Sequence, residues 1–167
     1  KSEFIWANQH QEAYEQLNKL ITEPPMLRYY DVDEEINIET DASQYGLGAV
    51  MYQKGQPIAY ASRTLTPTEK RYSQIEKECL ALVFGCIKFD QYLHGRKHVN
   101  AYTDHKPLET ILAKSINTAP KRLQRMMLRL QKYHLKIIYK RGSQMYISDQ
   151  LSRSPTATKK EKPIKEY

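Results

Sequence analysis

The sequence predicts an α/β domain built on a five-stranded mixed sheet, with helices on both faces of the sheet. Three strand-like segments joined by short turns come first, which is typical of an antiparallel meander. Two further strand-like segments then alternate with helical ones, which favours the addition of parallel strands. The chain has 167 residues, of which 40% are hydrophobic, so it is long enough for one domain with a packed core and an appendage.

The meander is indicated by alternating apolar residues and by glycine-containing turns. In residues 36–43 the apolar side chains alternate, which predicts a strand that contains Asp41. Glycines mark the turn that follows, and residues 47–53 predict the second strand. A short turn at residues 54–56 leads into a third strand over residues 57–62.

From residue 66 onward the apolar period changes to 3.6, which predicts one long helix over residues 66–93. Thr66 and Glu69 match a capping box, and Pro67 occupies the first helical position. Gly95 ends the helix.

The rest of the chain supplies two strands and several helices. The predicted elements after the long helix are a strand over 98–104, a helix over 107–114, a helix over 119–133, a strand over 135–140 and a helix over 146–153. An amphipathic helix is also predicted within residues 3–22, and it stops before Pro24. After Pro155 no periodicity remains, which predicts a disordered tail or linker.

Several classes of protein are excluded by composition. Every stretch of about 20 residues carries charges, which excludes a membrane-spanning helix. The first ten residues lack the apolar run of a signal peptide, so nothing indicates secretion. Cys79 and Cys86 lie on the apolar stripe of the long helix and are interpreted as reduced core residues.

Positive charge is concentrated in one part of the chain. The net charge is +7, yet residues 1–35 carry three basic and eight acidic side chains, whereas residues 110–148 carry nine Lys or Arg and no Asp or Glu. On the predicted helix over 119–133, an apolar arc lies beside a basic arc made of Arg122, Arg125, Arg129 and Lys132. This arrangement is typical of a surface that binds nucleic acid, although a solvated helix face has the same pattern.

Four carboxylates lie on four different predicted elements. They are Asp41, Glu78, Asp104 and Asp149. If the first and fourth strands are parallel neighbours, Asp41 and Asp104 meet at one edge of the sheet. Four acids at one place would repel one another unless cations lie between them, and oxygen ligands without His or Cys select Mg²⁺ or Mn²⁺. The same acids could also serve as helix caps and surface charges.

Seven motifs occur in order along residues 36–153. They are ETDASQYGLGAVMYQ, PIAYASRTL, RYSQIEKECLALV, FDQYLHG, YTDHKPLETIL, RLQRMMLRLQKYHLKIIYKRG and ISDQLSR. With these motifs the segment resembles the ribonuclease H domain of reverse transcriptases from gypsy-class LTR retrotransposons. Residues 1–35 resemble the segment that connects such a domain to the polymerase thumb, and residues 154–167 are assigned to a tail. We therefore expect a piece of a Pol polyprotein that acts inside the cell, in the cytoplasm or in virus-like particles.

The resemblance implies a ribonuclease H-like fold and cleavage of the RNA strand of an RNA–DNA hybrid. It implies two Mg²⁺ ions, for which Mn²⁺ can substitute, and products with a 5′-phosphate and a 3′-hydroxyl. Matched to the family's motifs by position, Asp41, Glu78, Asp104 and Asp149 are the metal-binding and catalytic residues. Asp41 is expected to bridge the two ions, Glu78 and Asp104 to hold one, and Asp149 the other. The polymerase domain of the same polyprotein is the expected partner.

The choice of glutamate rests on the resemblance. Helical spacing places Glu76 and Glu78 at opposite edges of the same apolar stripe, so geometry alone does not decide between them. The family's glutamate directly precedes the apolar stretch, which here is CLALV, and this selects Glu78.

Further residues are assigned supporting roles. The expected nucleic-acid contacts, mainly to phosphates, are Arg122, Arg125, Arg129, Lys132 and Arg141. Many relatives place a mobile histidine in the loop before the last aspartate, but this chain has none there, and Tyr139 or Arg141 is a candidate for that place. His105 is interpreted as a residue that supports either the site or the fold.

Two alternative functions share this fold. A catalytically silent or domesticated module would only bind nucleic acid, but silent relatives usually lose the acids that this chain retains. An integrase or transposase core carries its glutamate last in chain order, whereas here the last acid is Asp149.

Overall fold

The computed structural model describes residues 7–22 and 27–154, with only the backbone described for residues 17–22. The strands are β1 (Ile36–Ala42), β2 (Gly46–Gln53), β3 (Gln56–Thr64), β4 (Val99–Thr103) and β5 (Leu135–Tyr139). The helices are α1 (Asn8–Thr22), α2 (Gln74–Lys88), α3 (Asp90–Leu93), α4 (Lys106–Leu112), α5 (Lys121–Leu130) and α6 (Tyr146–Arg153).

All five strands form one mixed sheet in the order β3-β2-β1-β4-β5. β1 pairs antiparallel with β2, and β2 pairs antiparallel with β3, so the predicted meander is confirmed. β1 pairs in parallel with β4, and β4 pairs in parallel with β5. The central position of β1 puts the carboxyl ends of β1 and β4 side by side, which is the arrangement on which the predicted site depends.

Helices pack on both faces of the sheet, as the sequence predicts. A Cβ added at Gly85 of α2 would meet the side chains of Thr40 and Ala49, whereas one at Gly48 would meet the backbone of α6 at Ser148. Gly48 and Ala49 are successive residues of β2, so they face opposite sides of the sheet. α2 and α6 therefore cover opposite faces.

The prediction of a single helix over residues 66–93 is wrong. The chain instead forms a short 3₁₀ turn at Glu69–Arg71, an extended residue at Ser73, and then α2 and α3. Ser73 has φ −62° and ψ 158°, and its backbone N–H donates to the side chain of Glu76 at 2.9 Å. The chain thus has a second capping box, and this one begins α2.

The helix predicted over residues 119–133 is confirmed in type and is shorter, since α5 spans Lys121–Leu130. Its apolar arc is buried, and it consists of Leu123, Met126, Met127 and Leu130. Arg122, Arg125 and Lys132 are exposed on the other side, and Arg129 is half-buried. The predicted division into a core face and a basic face therefore holds.

Three further predictions concern the cysteines, membrane-spanning helices and the tail. Cys79 and Cys86 are free thiols buried in the core, as predicted. Among the described residues no helix is both long and apolar enough to cross a membrane. The predicted tail beyond Ser154 lies outside the described residues.

Candidate active site

Three carboxylates from three separate elements converge at the carboxyl end of β1. Asp41 lies in β1, Asp104 directly follows β4, and Glu78 lies in the second turn of α2. Each of the three offers an oxygen within 4.8 Å of the oxygens of the other two. The parallel pairing of β1 and β4 brings the two aspartates together, and Gln74 of α2 donates to the carbonyl oxygen of Ala42 at 3.0 Å, which seats the helix over the end of β1.

Glu78 is the most strongly perturbed of these acids. Its residue is only 3% exposed, and one carboxylate oxygen, Oε1, accepts a hydrogen bond from Gln74 Nε2 at 2.6 Å. The other oxygen, Oε2, is buried and has no hydrogen-bond partner among the described residues. Burial, followed by the charges of Asp41 and Asp104, raises the pKa of Glu78 to about 9. A buried carboxylate with one free oxygen fits a cation ligand.

Asp41 is also buried, and it is held by the last helix. The hydroxyl of Ser152 on α6 donates to Asp41 Oδ2. Burial raises the pKa of Asp41 above its usual range, and the charges of Asp104 and Asp149 add to this effect against the opposing Ser152 hydrogen bond. The site therefore favours protons or cations over bare negative charge.

Asp149 lies near this cluster but outside the group of three. Its charge contributes to the raised pKa of Asp41, which places it in the neighbourhood. Its Oδ1 accepts a hydrogen bond at 2.7 Å from Nε of Arg153, one turn further along α6. The structure thus brings oxygens of three of the four predicted acids within 4.8 Å of one another and leaves the fourth acid paired with an arginine.

Glu76, the alternative to Glu78 in the sequence, points to a different place. It accepts from the backbone of Ser73 and forms an ion pair of 2.7 Å with Arg122 of α5. Glu76 therefore caps α2 and contacts α5, whereas Glu78 faces Asp41 and Asp104.

The predicted nucleic-acid contacts differ in how they are engaged. Arg122 pairs with Glu76, and Lys132 pairs with Asp90 at 2.6 Å. Arg125 is exposed and has no ion-pair partner within the part of the chain that the structure describes. Arg129 is half-buried, and Arg141 is exposed just beyond β5. Arg125 is consequently the member of the basic arc that is best placed to contact a phosphate.

The two predicted auxiliary residues lie near the carboxyl end of β4. His105 directly follows Asp104, and its Nδ1 is buried without a hydrogen-bond partner among the described residues. Tyr139 pairs in register with Thr103 at the end of β5 and is 38% exposed. The roles assigned to both remain predictions.

Gln74 and Ser152 are residues of the site that were not predicted from the sequence. Gln74 precedes Glu78 by one helical turn, so an i, i+4 comparison on α2 could have found it. Ser152 offers no comparable signal, because its contact with Asp41 joins residues 111 positions apart.

The residues present fit a hard divalent cation. All donors in the cluster are carboxylate oxygens, which suit Mg²⁺ or Mn²⁺ better than zinc. The buried Oε2 of Glu78 accepts no hydrogen bond from the described residues. A bound cation would give this oxygen the polar partner that it lacks.

A five-stranded mixed sheet in this order, with helices on both faces and acids at the ends of β1 and β4, defines a ribonuclease H-like fold. The chain belongs to the family of RNase H-like domains found in reverse transcriptase, whose model matches residues 31–133. The matched region includes Asp41, Glu78 and Asp104 and ends before Asp149.

Curated relatives are retrotransposon polyproteins. The chain is 41% identical over 142 residues to the retrovirus-related Pol polyprotein from transposon 297 of Drosophila melanogaster, covering 85% of this chain and 13% of that protein. It is 37% identical over 142 residues to the Pol polyprotein from transposon gypsy of the same species, covering 84% of this chain and 14% of that protein. The chain therefore spans about one-seventh of the length of these relatives.

Solved structures share the fold at low sequence identity. The foamy viral protease-reverse transcriptase in complex with an RNA/DNA hybrid matches with a TM-score of 0.60 and 20% identity, over 99% of this chain and 23% of that one. RNase H1 from the archaeon Halobacterium salinarum matches with a TM-score of 0.53 and 14% identity, over 71% of this chain and 92% of that one.

Proposed function

We propose that this domain is an endonuclease that hydrolyses the RNA strand of RNA–DNA hybrids with two Mg²⁺ ions during reverse transcription. The observation that supports the proposal most directly is the cluster of Asp41, Glu78 and Asp104, each of which offers an oxygen within 4.8 Å of the other two at the carboxyl ends of β1 and β4. Membership in a family of reverse-transcriptase domains supports the substrate class. The similarity to Pol polyproteins supports the proposal that the partner of this domain is a polymerase domain of the same polyprotein.

In this proposal Asp41, Glu78, Asp104 and Asp149 hold the ions. Two divalent ions, if bound by these residues, would stabilise the attacking and leaving oxygens of a phosphodiester displacement. Gln74 fixes one oxygen of Glu78 and leaves the other for a cation. Arg153 engages only Oδ1 of Asp149, so Oδ2 is available to a cation, and since the ion pair is largely exposed its loss would cost little.

The basic face of α5 serves to hold the duplex. Arg125 and its neighbours contact phosphates, which positions the hybrid without reading its sequence. Selection of the RNA strand rests on contacts to the ribose 2′-hydroxyl, the group that distinguishes RNA from DNA.

The test is cleavage of an end-labelled RNA–DNA hybrid by the purified chain with Mg²⁺, with duplex DNA and duplex RNA as comparison substrates. We expect hybrid-specific cleavage that is abolished by Asp41→Asn and by Glu78→Gln. Glu76→Gln is the matched control on the same helix, and we expect it to retain cleavage because Glu76 faces α5. Hybrid binding without cleavage in Mg²⁺ or Mn²⁺ would show a silent binding module instead.

A further inference from the structure

The last helix touches β2 at the level of the backbone. A Cβ added at Gly48 would lie 2.3 Å from the carbonyl oxygen of Ser148 and 2.7 Å from the backbone nitrogen of Ser152. Ser43, in the turn after β1, donates through its hydroxyl to the carbonyl oxygen of Ser152 at 2.7 Å. These contacts fix the position of α6 relative to the carboxyl end of β1.

Ser152 lies at the centre of this contact. Its residue is 0% exposed, and its hydroxyl reaches Asp41 Oδ2. The same hydroxyl oxygen lies 2.9 Å from the carbonyl oxygen of Asp149. A serine hydroxyl has one proton to donate, and an ionised carboxylate is the stronger acceptor, so the bond to Asp41 dominates when Asp41 is charged.

We infer that Ser152 is a positioning residue for Asp41, which it holds in the orientation that binds the metal ion. The inference rests on the proposed metal-dependent function. Ser152 is the one side-chain donor to Asp41 among the described residues, and a carboxylate that accepts one hydrogen bond keeps lone pairs for a cation. Without the hydroxyl, Asp41 loses both the restraint on its rotamer and the bond that favours its charged form.

The position of α6 also affects two of the predicted metal ligands. Asp149 lies three residues before Ser152, so the seat of α6 on Gly48 positions Asp149 directly and Asp41 through Ser152. Loss of a residue that orients a metal ligand typically weakens metal affinity 10–100-fold.

The chain offers a matched control on the same helix. Ser148 is also 0% exposed, but its hydroxyl donates to the carbonyl oxygen of Met145 at 3.1 Å, within its own segment of chain. Ser148→Ala and Ser152→Ala therefore each remove one buried hydroxyl from α6, and only Ser152→Ala removes a contact to Asp41.

The experiment is titration calorimetry of the full 167-residue chain with Mn²⁺ at one fixed pH, without nucleic acid. We expect Ser152→Ala to raise the Kd for Mn²⁺ about tenfold, Ser148→Ala to leave it unchanged, and Asp41→Asn to abolish the binding. In the cleavage assay we expect high Mn²⁺ to restore the activity of Ser152→Ala, which would not occur if the variant had only lost structure.

The outcomes separate this inference from the proposed function. Equal Kd values for the unaltered chain and Ser152→Ala would overturn the positioning role and leave the proposed nuclease intact. An unaltered chain that binds no Mn²⁺ would overturn both. If Ser152→Ala fails to fold, Ser152→Cys takes its place, because a thiol fills the space of the hydroxyl, being slightly larger, and is only a weak donor, and the same tenfold rise in Kd is expected.

Discussion

Arg122 on α5 donates a hydrogen bond of 2.7 Å to Glu76 on α2, and its guanidinium carbon lies 4.1 Å from the ring centre of Tyr72. This contact joins the basic helix to the first turn of the helix that carries Glu78. It therefore constrains the position of the proposed phosphate-binding face of α5 relative to the proposed catalytic carboxylates. Arg122 therefore has a structural role that the other exposed arginine of α5, Arg125, does not share.

Substitution of these two arginines should separate binding from stability. We expect Arg125→Ala to weaken hybrid binding similarly for all sequences and to lower the slope of log affinity against log salt by about 0.9 per lost phosphate contact. We expect Arg122→Ala to lower the free energy of unfolding by about 1 kcal/mol, since the pair with Glu76 is partly exposed. Salt-dependent binding and thermal melting measure the two effects. Identical behaviour of the two variants in both measurements would contradict this division.

Glu78 should make the metal-free protein less stable as pH rises. Burial and the nearby acids raise the pKa of Glu78 from 4.5 to about 9. Between these values the unfolded chain releases the proton that the folded chain retains, so the stability present at low pH is lost as pH increases. We expect Glu78→Gln to raise the melting temperature at pH 8 in a chelator and to flatten its pH dependence. A lower melting temperature in the variant would show that the charge of Glu78 supports the fold.

Glu76→Gln is the control for this effect, because the pKa of Glu76 shifts in the opposite direction. Burial alone would raise that pKa, but the hydrogen bonds from Ser73 and Arg122 outweigh it and lower the pKa. The charged form of Glu76 thus stabilises the fold above its ordinary pKa. We expect Glu76→Gln to lower the melting temperature at pH 8, the reverse of Glu78→Gln.

The sequence predicted the sheet and its helical layers because those depend on periodicity, but it joined two helices that the structure separates. Thr66 and Glu69 do form the predicted reciprocal bonds, at 2.8 and 3.2 Å. They lead only into a 3₁₀ turn, since a second capping box, made by Ser73 and Glu76, begins α2 at Gln74. The apolar stripe continues across the break, so periodicity alone could not show it.

The candidate site was predictable where a residue's type and its position in a predicted element both indicate a role. The aspartates at strand ends, Asp41 and Asp104, could be found from the strand pattern alone. The choice of Glu78 over Glu76 needed the family motif, and the structure explains the difference through Arg122, which binds Glu76. Ser152 could not be predicted, because a buried serine contributes neither periodicity nor charge.

The buried pair of Arg63 and Glu69 should be sensitive to the loss of one partner. The two side chains are 8% and 9% exposed and are joined by hydrogen bonds of 2.7 and 2.8 Å. Burial alone would raise the pKa of Glu69, but the bonds from Arg63 and Thr66 outweigh it and lower the pKa. We expect Glu69→Gln to cost about 3–5 kcal/mol of unfolding free energy at pH 7, because it leaves the arginine buried without a counter-charge.

A double variant tests that explanation. Arg63→Met with Glu69→Leu removes both charges and retains most of the volume, so we expect it to be more stable than Glu69→Gln alone. Chemical denaturation at pH 7 measures all three proteins. A double variant less stable than the single one would show that the unpaired buried arginine does not cause the loss in Glu69→Gln.

Gly48→Ala should displace the last helix and inactivate the site together. The added Cβ would lie 2.3 Å from a carbonyl oxygen of α6, and backbone atoms cannot rotate away as a side chain can. We expect a loss of about 3 kcal/mol, which corresponds to a fall of roughly 6–12 °C in melting temperature for a domain of this size, and loss of hybrid cleavage. Gly95→Ala is the control: Gly95 has φ +78° and open space around it, so the variant should cost about 1–2 kcal/mol through backbone strain and retain cleavage. Full cleavage by Gly48→Ala at a temperature at which the variant is folded would show that the site does not depend on the packing of α6 against β2.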